Sequence, residues 1–233
     1  MKEKNNQINL WDGSHAQRNI SGPEGTFLRD IPTPPGHDLV SLIPAHSRIL
    51  EIGSANGRDA RFWAKNGHRV DCIDFSKEAL DQLEFLAEEQ GIAEKIKTHK
   101  YDVSDGLLPP TLPLDIFYDA FFARSALTIT DSSLDILTQN ITKRMKPNGV
   151  ILIEGRSPSD PKIIRSTLIE GNMASDNGHL RRIYTKENMT NLSKRNGWVV
   201  EQISENIETG FETPLHMLRL VARCQNNTHY NLI

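Results

Sequence analysis

Apolar residues in this chain gather into short dense runs. Ile49-Leu50-Glu51-Ile52, Val70-Asp71-Cys72-Ile73, Ile116-Phe117-Tyr118-Asp119-Ala120-Phe121-Phe122 and Val150-Ile151-Leu152-Ile153 are too short for helices and too continuous for half-exposed strands. They read as strands buried on both faces. Between them lie longer stretches in which apolar positions recur at helical spacing. The pattern predicts strands over 48–53, 69–73, 95–101, 115–121 and 148–155, with helices over 57–66, 76–90 and 131–145. A helix near 185–196 and strands near 198–206 and 215–223 follow. Strand-helix alternation of this kind implies an α/β architecture with a mainly parallel sheet covered on both faces.

Turn formers divide the rest. Residues 1–36 are polar and interrupted by Gly13, Gly22, Pro23, Gly25, Pro32, Pro34, Pro35 and Gly36, which predicts an irregular arm, with one short helix around 13–19 and another over 37–43 leading into the first strand. Ser76 stands where it can cap the second core helix, and Lys146-Pro147-Asn148-Gly149 reads as a turn into the fifth strand. After Glu154 come Pro158 and Pro161 and then an extended segment to Gly178. The chain is therefore expected to divide into an arm, 1–36, lying over the site, and a domain, 37–233, with an insertion at about 157–184 on the substrate side.

Candidate chemistry concentrates where the first strand ends. Glu51-Ile52-Gly53-Ser54-Ala55-Asn56-Gly57 turns from strand to helix, and glycines there adopt positive φ or leave room for a ligand. It is not the dinucleotide fingerprint, which needs glycines at offsets of two and five; here Ala55 and Arg58 occupy those places. Glu51 would repel a pyrophosphate and suits a cationic ligand. A second carboxylate, Asp74, falls at the end of the neighbouring strand, where a ribose diol would lie. Asp102 either continues this series or caps a turn before Ser104-Asp105-Gly106. Asp119 falls inside its strand and reads as structural.

Glu51-x-Gly53-x-Ala55-x-Gly57 resembles motif I of the class I S-adenosylmethionine-dependent methyltransferases, with Ala55 for the middle glycine. Ile73-Asp74-Phe75-Ser76 resembles their second motif, Tyr101-Asp102-Val103 the adenine-side position, and Asp115 to Arg124 the fourth strand with its motif IV end. The resemblance covers roughly residues 47–156. It implies a Rossmann-like, doubly wound, seven-stranded sheet with an antiparallel C-terminal hairpin and S-adenosyl-L-methionine as cofactor, held by Glu51, Gly53, Ser54, Ala55, Gly57, Asp74, Phe75, Asp102, Val103 and Ala123. The acceptor is expected beyond the fourth and fifth strands, beside Ser125, Arg156, Arg182 and Tyr184 and the arm residues Trp11 and Arg18. Arg124 is the candidate to orient it, or else pairs with Asp119, Glu154 or Asp131. His15 is the candidate base. The chain is loosely similar to thiopurine, tellurite-resistance and natural-product methyltransferases.

Composition narrows the acceptor. A net charge of −3 over 233 residues offers no general basic face for nucleic acid, and the Asn/Asp-Pro-Pro-aromatic motif of amino-methylating nucleic-acid enzymes is absent. No apolar run nears the roughly 20 residues that cross a bilayer. Two cysteines, Cys72 and Cys224, support neither a disulfide framework nor a metal site and read as reduced thiols of a cytoplasmic protein. The expected function is methyl transfer to an oxygen or nitrogen of a small, anionic metabolite. The alternatives are an RNA or protein methyltransferase, or a noncatalytic subunit that keeps the fold; a dehydrogenase is disfavoured by the broken dinucleotide motif.

Overall fold

The computed structural model describes residues 31–209 and 211–225. Its elements run α1 (Pro34–Leu42), β1 (Arg48–Ile52), α2 (Arg58–Lys65), β2 (Arg69–Asp74), α3 (Lys77–Glu89), β3 (Ile96–Lys100), β4 (Tyr118–Arg124), α4 (Asp131–Thr142), β5 (Met145–Arg156), α5 (Pro161–Ile164), β6 (Thr167–Leu168), β7 (Met173–Asp176), β8 (His179–Arg182), α6 (Lys186–Arg195), β9 (Trp198–Glu208) and β10 (Leu215–Cys224). Seven strands form one sheet in the order β3-β2-β1-β4-β5-β10-β9. The first five are parallel, and β10 runs antiparallel to both β5 and β9.

The two faces bury alternate residues of the same strands. Ile49, Val70, Cys72, Phe122 and Leu152 pack under α1, α2 and α3, while Leu50, Ile52, Ile73, Phe121 and Ile153 pack under α4 and α6. Trp63 of α2 locks the first face: its ring meets Phe122 edge-on at 4.9 Å, and its Nε1 donates to the Gly36 carbonyl of α1 at 2.7 Å. Ser76 caps α3 as expected, accepting from the Ala79 amide.

Several boundaries differ from the sequence reading, each for a local reason. Helix α1 begins at Pro34, inside the expected arm, because proline is tolerated in a first turn and Thr33 caps it through the Gly36 amide. Strand β4 starts three residues later than expected. Before it, the Ile116 amide turns back to the Pro113 carbonyl, and the Arg144 guanidinium holds both carbonyls. The turn foreseen at 146–149 is absorbed as an irregularity within β5, with Asn148 at φ 64°. The segment to Gly178 is not simply extended: it holds α5 and the three-stranded antiparallel sheet β6-β7-β8, whose last hairpin turns on Asn177-Gly178, both at positive φ.

Asp119 is structural, accepting from the Arg48 amide at 2.7 Å and from Lys146 Nζ at 2.8 Å. A second buried carboxylate ties β1, β2 and β3 together: Asp71 accepts from Arg48 Nε at 2.9 Å and pairs with His99 Nε2 at 3.1 Å, whose Nδ1 meets the Thr111 hydroxyl. Burial pushes the Asp71 carboxyl up, but the hydrogen bonds from His99 and Arg48 outweigh it and hold it below the ordinary range. A depressed carboxyl contributes stability above its unfolded pKa and loses it as pH falls through the folded value. Removing one partner of a buried pair costs about 3–5 kcal/mol, and Arg48 is partly solvated, so Asp71→Ala should cost about 2–4 kcal/mol. At about 2–4 °C per kcal/mol for a chain of this size, thermal denaturation at pH 7 should show a drop of several degrees that narrows toward pH 3; an unchanged midpoint would remove Asp71 from the structural account.

Candidate methyl-donor site

The carboxyl end of β1 turns into α2 through three residues at positive φ: Gly53 (77°), Ala55 (49°) and Gly57 (70°). The protein itself demands glycine at the outer two. A Cβ on Gly53 would lie 2.1 Å from the Cβ of Ala126 in the loop after β4, and one on Gly57 would lie 2.1 Å from Cδ1 of Leu83 in α3. Both glycines let neighbouring elements close on the loop. Ala55, also in the left-handed region, carries a methyl group there at a cost of roughly 1–2 kcal/mol.

Asp74 fixes that loop against β2. Its Oδ2 accepts from the Ala55 amide and its Oδ1 from the Ser76 amide, each at 2.9 Å. The Gly53 amide donates to the Ile73 carbonyl at 2.8 Å. Phe75 is half-buried beside it. At the end of β3, Asp102 caps a short helical turn, accepting from the Ser104 amide at 2.9 Å, so the capping role foreseen for it is present. Val103 and Ala123 are buried in the core cluster beneath α4.

Three carboxylates meet around the loop. Glu51 is 3% exposed, and Cys72 Sγ donates to it at 3.8 Å. Burial pushes its carboxyl well up, and the charges of Asp59 and Asp74 push it further. Asp59, in the first turn of α2, accepts from the Thr33 amide at 2.6 Å and the Thr33 hydroxyl at 2.9 Å, yet burial still raises it. The role of Asp59 beside Glu51 is one that motif reading missed; its signal was an acid in the first helical turn. The buried Ser54 hydroxyl has no partner among the described residues. This donor set fits S-adenosylmethionine: crowded carboxylates favour a ligand that carries positive charge, and a spare hydroxyl sits beside them.

On the acceptor side the structure shows what several of the expected residues touch. Arg124 closes β4 with its guanidinium engaged twice, Nε to Glu154 at 2.8 Å and Nη2 to Glu208 at 2.6 Å. Burial works against its charge, but Glu154 and Glu208 more than compensate and raise its pKa. Glu154 also accepts from Arg219 Nε at 2.8 Å, and Arg219 Nη1 reaches Asp38 of α1 at 2.7 Å. Of the alternatives weighed for Arg124, pairing with Glu154 is what the structure holds. Ser125 is exposed, at φ 54°. Arg156 donates to Asp160 at 2.7 Å. Arg182 is buried, donating to the Ile129 carbonyl at 2.6 Å and to the Asp131 carboxylate. Tyr184 is buried against Gly155, its hydroxyl pushed up to about 12 by burial. Arg182 and Tyr184, both expected beside the acceptor, hold the insertion to the loop after β4 and to β5. Trp11, His15 and Arg18 lie outside the described residues.

Two surface hollows, of about 300 and 380 Å³, are lined by residues such as His46, Gly67 and Arg69, and Asp119, Asn148 and Arg223. Both lie at the amino ends of the strands, the wrong end of an open α/β sheet for its ligand. Among the described residues no group of His, Cys, Asp or Glu is arranged to hold a metal, and no helix is long and apolar enough to cross a membrane.

At neutral pH the unfolded chain ionises Glu51 while the folded protein resists doing so, so stability falls as pH rises from the ordinary carboxylate range toward the raised folded value. Glu51→Gln should therefore raise the melting temperature of the ligand-free protein near pH 7, and flatten its decline with pH, while weakening S-adenosylmethionine binding at least tenfold. Parallel melts and titrations test both; a variant that melts lower, or binds unchanged, would refute the assignment.

The family model for a methyltransferase domain matches residues 49–149. Comparison with curated protein sequences gives no match. Among solved structures, TehB from Haemophilus influenzae superposes at a TM-score of 0.63 with 15% identity, over 83% of this chain, which spans only 62% of TehB. A methyltransferase from Methanosarcina mazei gives 0.64 at 15% identity, covering 83% of this chain and 98% of that one. The 1,6-didemethyltoxoflavin N1-methyltransferase of Burkholderia thailandensis, solved with 1,6-didemethyltoxoflavin and S-adenosylhomocysteine, gives 0.68 at 17% identity, covering 94% and 87%. The domain match falls on the glycine loop and its acidic partners, so residues 49–149 resemble a methyltransferase domain, and the seven-stranded sheet has the Rossmann-like fold of the solved S-adenosylmethionine-dependent methyltransferases it superposes on.

Proposed function

We propose that this protein is an S-adenosylmethionine-dependent methyltransferase acting on an oxygen or nitrogen of a small, anionic metabolite in the cytoplasm. The observation that carries the reading is the insertion. Residues 157–184 follow β5 and return to it: the Tyr184 amide donates to the Arg156 carbonyl at 2.8 Å, and Arg182 pins the unit to Ile129 and Asp131. A folded unit clamped over the loop after β4 narrows the acceptor side, which suits a small molecule better than a polymer. The superposable Burkholderia thailandensis enzyme was solved with a small heterocycle bound, which accords with that preference. The net charge of −3 and the missing Asn/Asp-Pro-Pro motif speak against nucleic acid.

S-adenosylmethionine, when bound, supplies a methyl group already activated on a sulfonium. The protein's task is then to bind, align and exclude water. In this reading Glu51, Gly53, Ser54, Ala55, Gly57, Asp74, Phe75 and Asp102 form the donor site, with Val103 and Ala123 supporting it from the core. Arg124, engaged by two carboxylates, positions the ends of β4, β5 and β9 and is not the acceptor's anion partner. Trp11, His15, Arg18 and Ser125 remain candidates to meet the acceptor.

Calorimetric titration with S-adenosylhomocysteine tests the donor site. Micromolar binding is expected, weakened at least tenfold by Asp74→Ala, about 1.4 kcal/mol, since that change frees both the Ala55 and Ser76 amides. Radiolabelled methyl transfer to a panel of small carboxylates and phosphates, with transfer RNA and histone peptides alongside, tests the acceptor. Labelling of the polymers alone would overturn the small-molecule reading.

A further inference from the structure

The insertion gathers cations past the carboxyl end of β5. Arg156 closes that strand, Lys162 lies on α5, Arg165 follows it, and Arg181 lies in β8. Two carboxylates stand among them. Asp160 is spent on local structure, accepting from Arg156 Nη1 at 2.7 Å and from the amides of Lys162 and His216 at 2.9 Å each. Asp176 lies 3.7 Å from Arg165 Nη2 and 3.9 Å from Arg181 Nη2, beyond hydrogen-bonding distance of either. The Nε of Arg181 is buried and has no hydrogen-bond partner among the described residues. Ile163, Ala174 and Ile183 form an apolar floor in the same unit. Burial, and then the charges of Arg181, Arg156 and Arg165, depress the Lys162 ammonium; burial and then Arg156 depress Arg181. Four cations share two carboxylates, Asp160 and Asp176, so positive charge is in excess across this partly buried space and a guanidinium N–H is left over.

We propose that Arg156, Lys162, Arg165 and Arg181 form an oxyanion subsite that receives a phosphate or carboxylate group of the methyl acceptor. It rests on the small-acceptor reading above and gives it an address. The cluster is compact and bounded by Asp160 and Asp176, which suits a single oxyanion; a nucleic-acid strand needs a continuous basic track.

The test is titration of the full chain, saturated with S-adenosylhomocysteine at constant ionic strength, with inorganic phosphate and separately with succinate. Saturable binding of at least one anion is expected. It should weaken tenfold or more in Arg181→Gln and in Lys162→Gln, and stay unchanged in Lys77→Gln, an exposed lysine of α3. Affinity for S-adenosylhomocysteine should not move. Lys162 is only half-buried, so its variant keeps the test decisive where Arg181→Gln fails to fold. A preference for phosphate or for succinate assigns the acceptor's anionic group, and either supports the subsite. No saturable binding of either anion, equal binding by both cluster variants, or displacement of phosphate by a short RNA at these residues overturns it. Failure of the wild-type protein to bind S-adenosylhomocysteine overturns instead the donor-site reading on which it rests.

Discussion

A carboxylate buried at the carboxyl end of the central strand sets the terms for everything around it. Glu51 sits between β2 and β4, 3% exposed, with Asp59 and Asp74 close enough to oppose its charge. Optimising stability alone would replace such a group with something neutral, since charge without a partner is costly in a low-dielectric interior. The Arg58 charge offsets this least of all the contributions, so the retention of Glu51 makes sense if a cationic ligand supplies the rest. The cluster is then a destabilised feature of the ligand-free protein that binding relieves, the usual relation between a functional site and the fold that carries it.

The same logic, satisfied internally, operates one strand away. Arg124, Glu154, Arg219 and Asp38 form a continuous chain of charge-assisted hydrogen bonds from β4 through β5 and β10 to α1, with Glu208 of β9 at its end. Each charge there has a partner, so the chain orders elements and leaves little affinity for a ligand. It fixes α1, and α1 in turn is tied to the glycine loop's helix by Asp59 accepting from Thr33. The polar layer between sheet and helices therefore joins the acceptor-side strands to the donor loop without passing through the apolar core.

Much of this was legible in the sequence, and the reasons for the rest are physical. Dense apolar runs between glycine turns located the central strands because a strand buried on both faces has no polar option. Ser76 was legible as a cap because capping is local. The start of α1 was hidden by prolines that break a helix interior but suit its first turn. The β7-β8 hairpin carried a strong local signal in Asn177-Gly178, obscured by short strands whose alternation is weak. Arg124 and Glu208 lie 84 residues apart, and nothing local announces their contact. Arg182, expected beside the acceptor, donates to the loop after β4, while its neighbour in β8, Arg181, faces Asp176 among the cations of the insertion. Only the strand's placement decides it.

The proposed donor site and the proposed oxyanion subsite carry opposite charge. If the proposed oxyanion subsite receives the acceptor, a ligand carrying a sulfonium would be drawn to Glu51, Asp59 and Asp74 and repelled by the cations of the insertion, and an anionic acceptor would meet the reverse. Exchanged binding would then be disfavoured electrostatically before any shape complementarity acts. The effect is strongest where burial limits screening, since charges further apart than about 8 Å in water are largely screened at physiological salt. A glycine loop that admits a methyl group at Ala55, but none at Gly53 or Gly57, follows from the same division of labour. At 53 and 57 neighbouring protein fills the space a side chain would need, whereas at 55 the constraint is backbone conformation alone, and a single methyl is a tolerable strain.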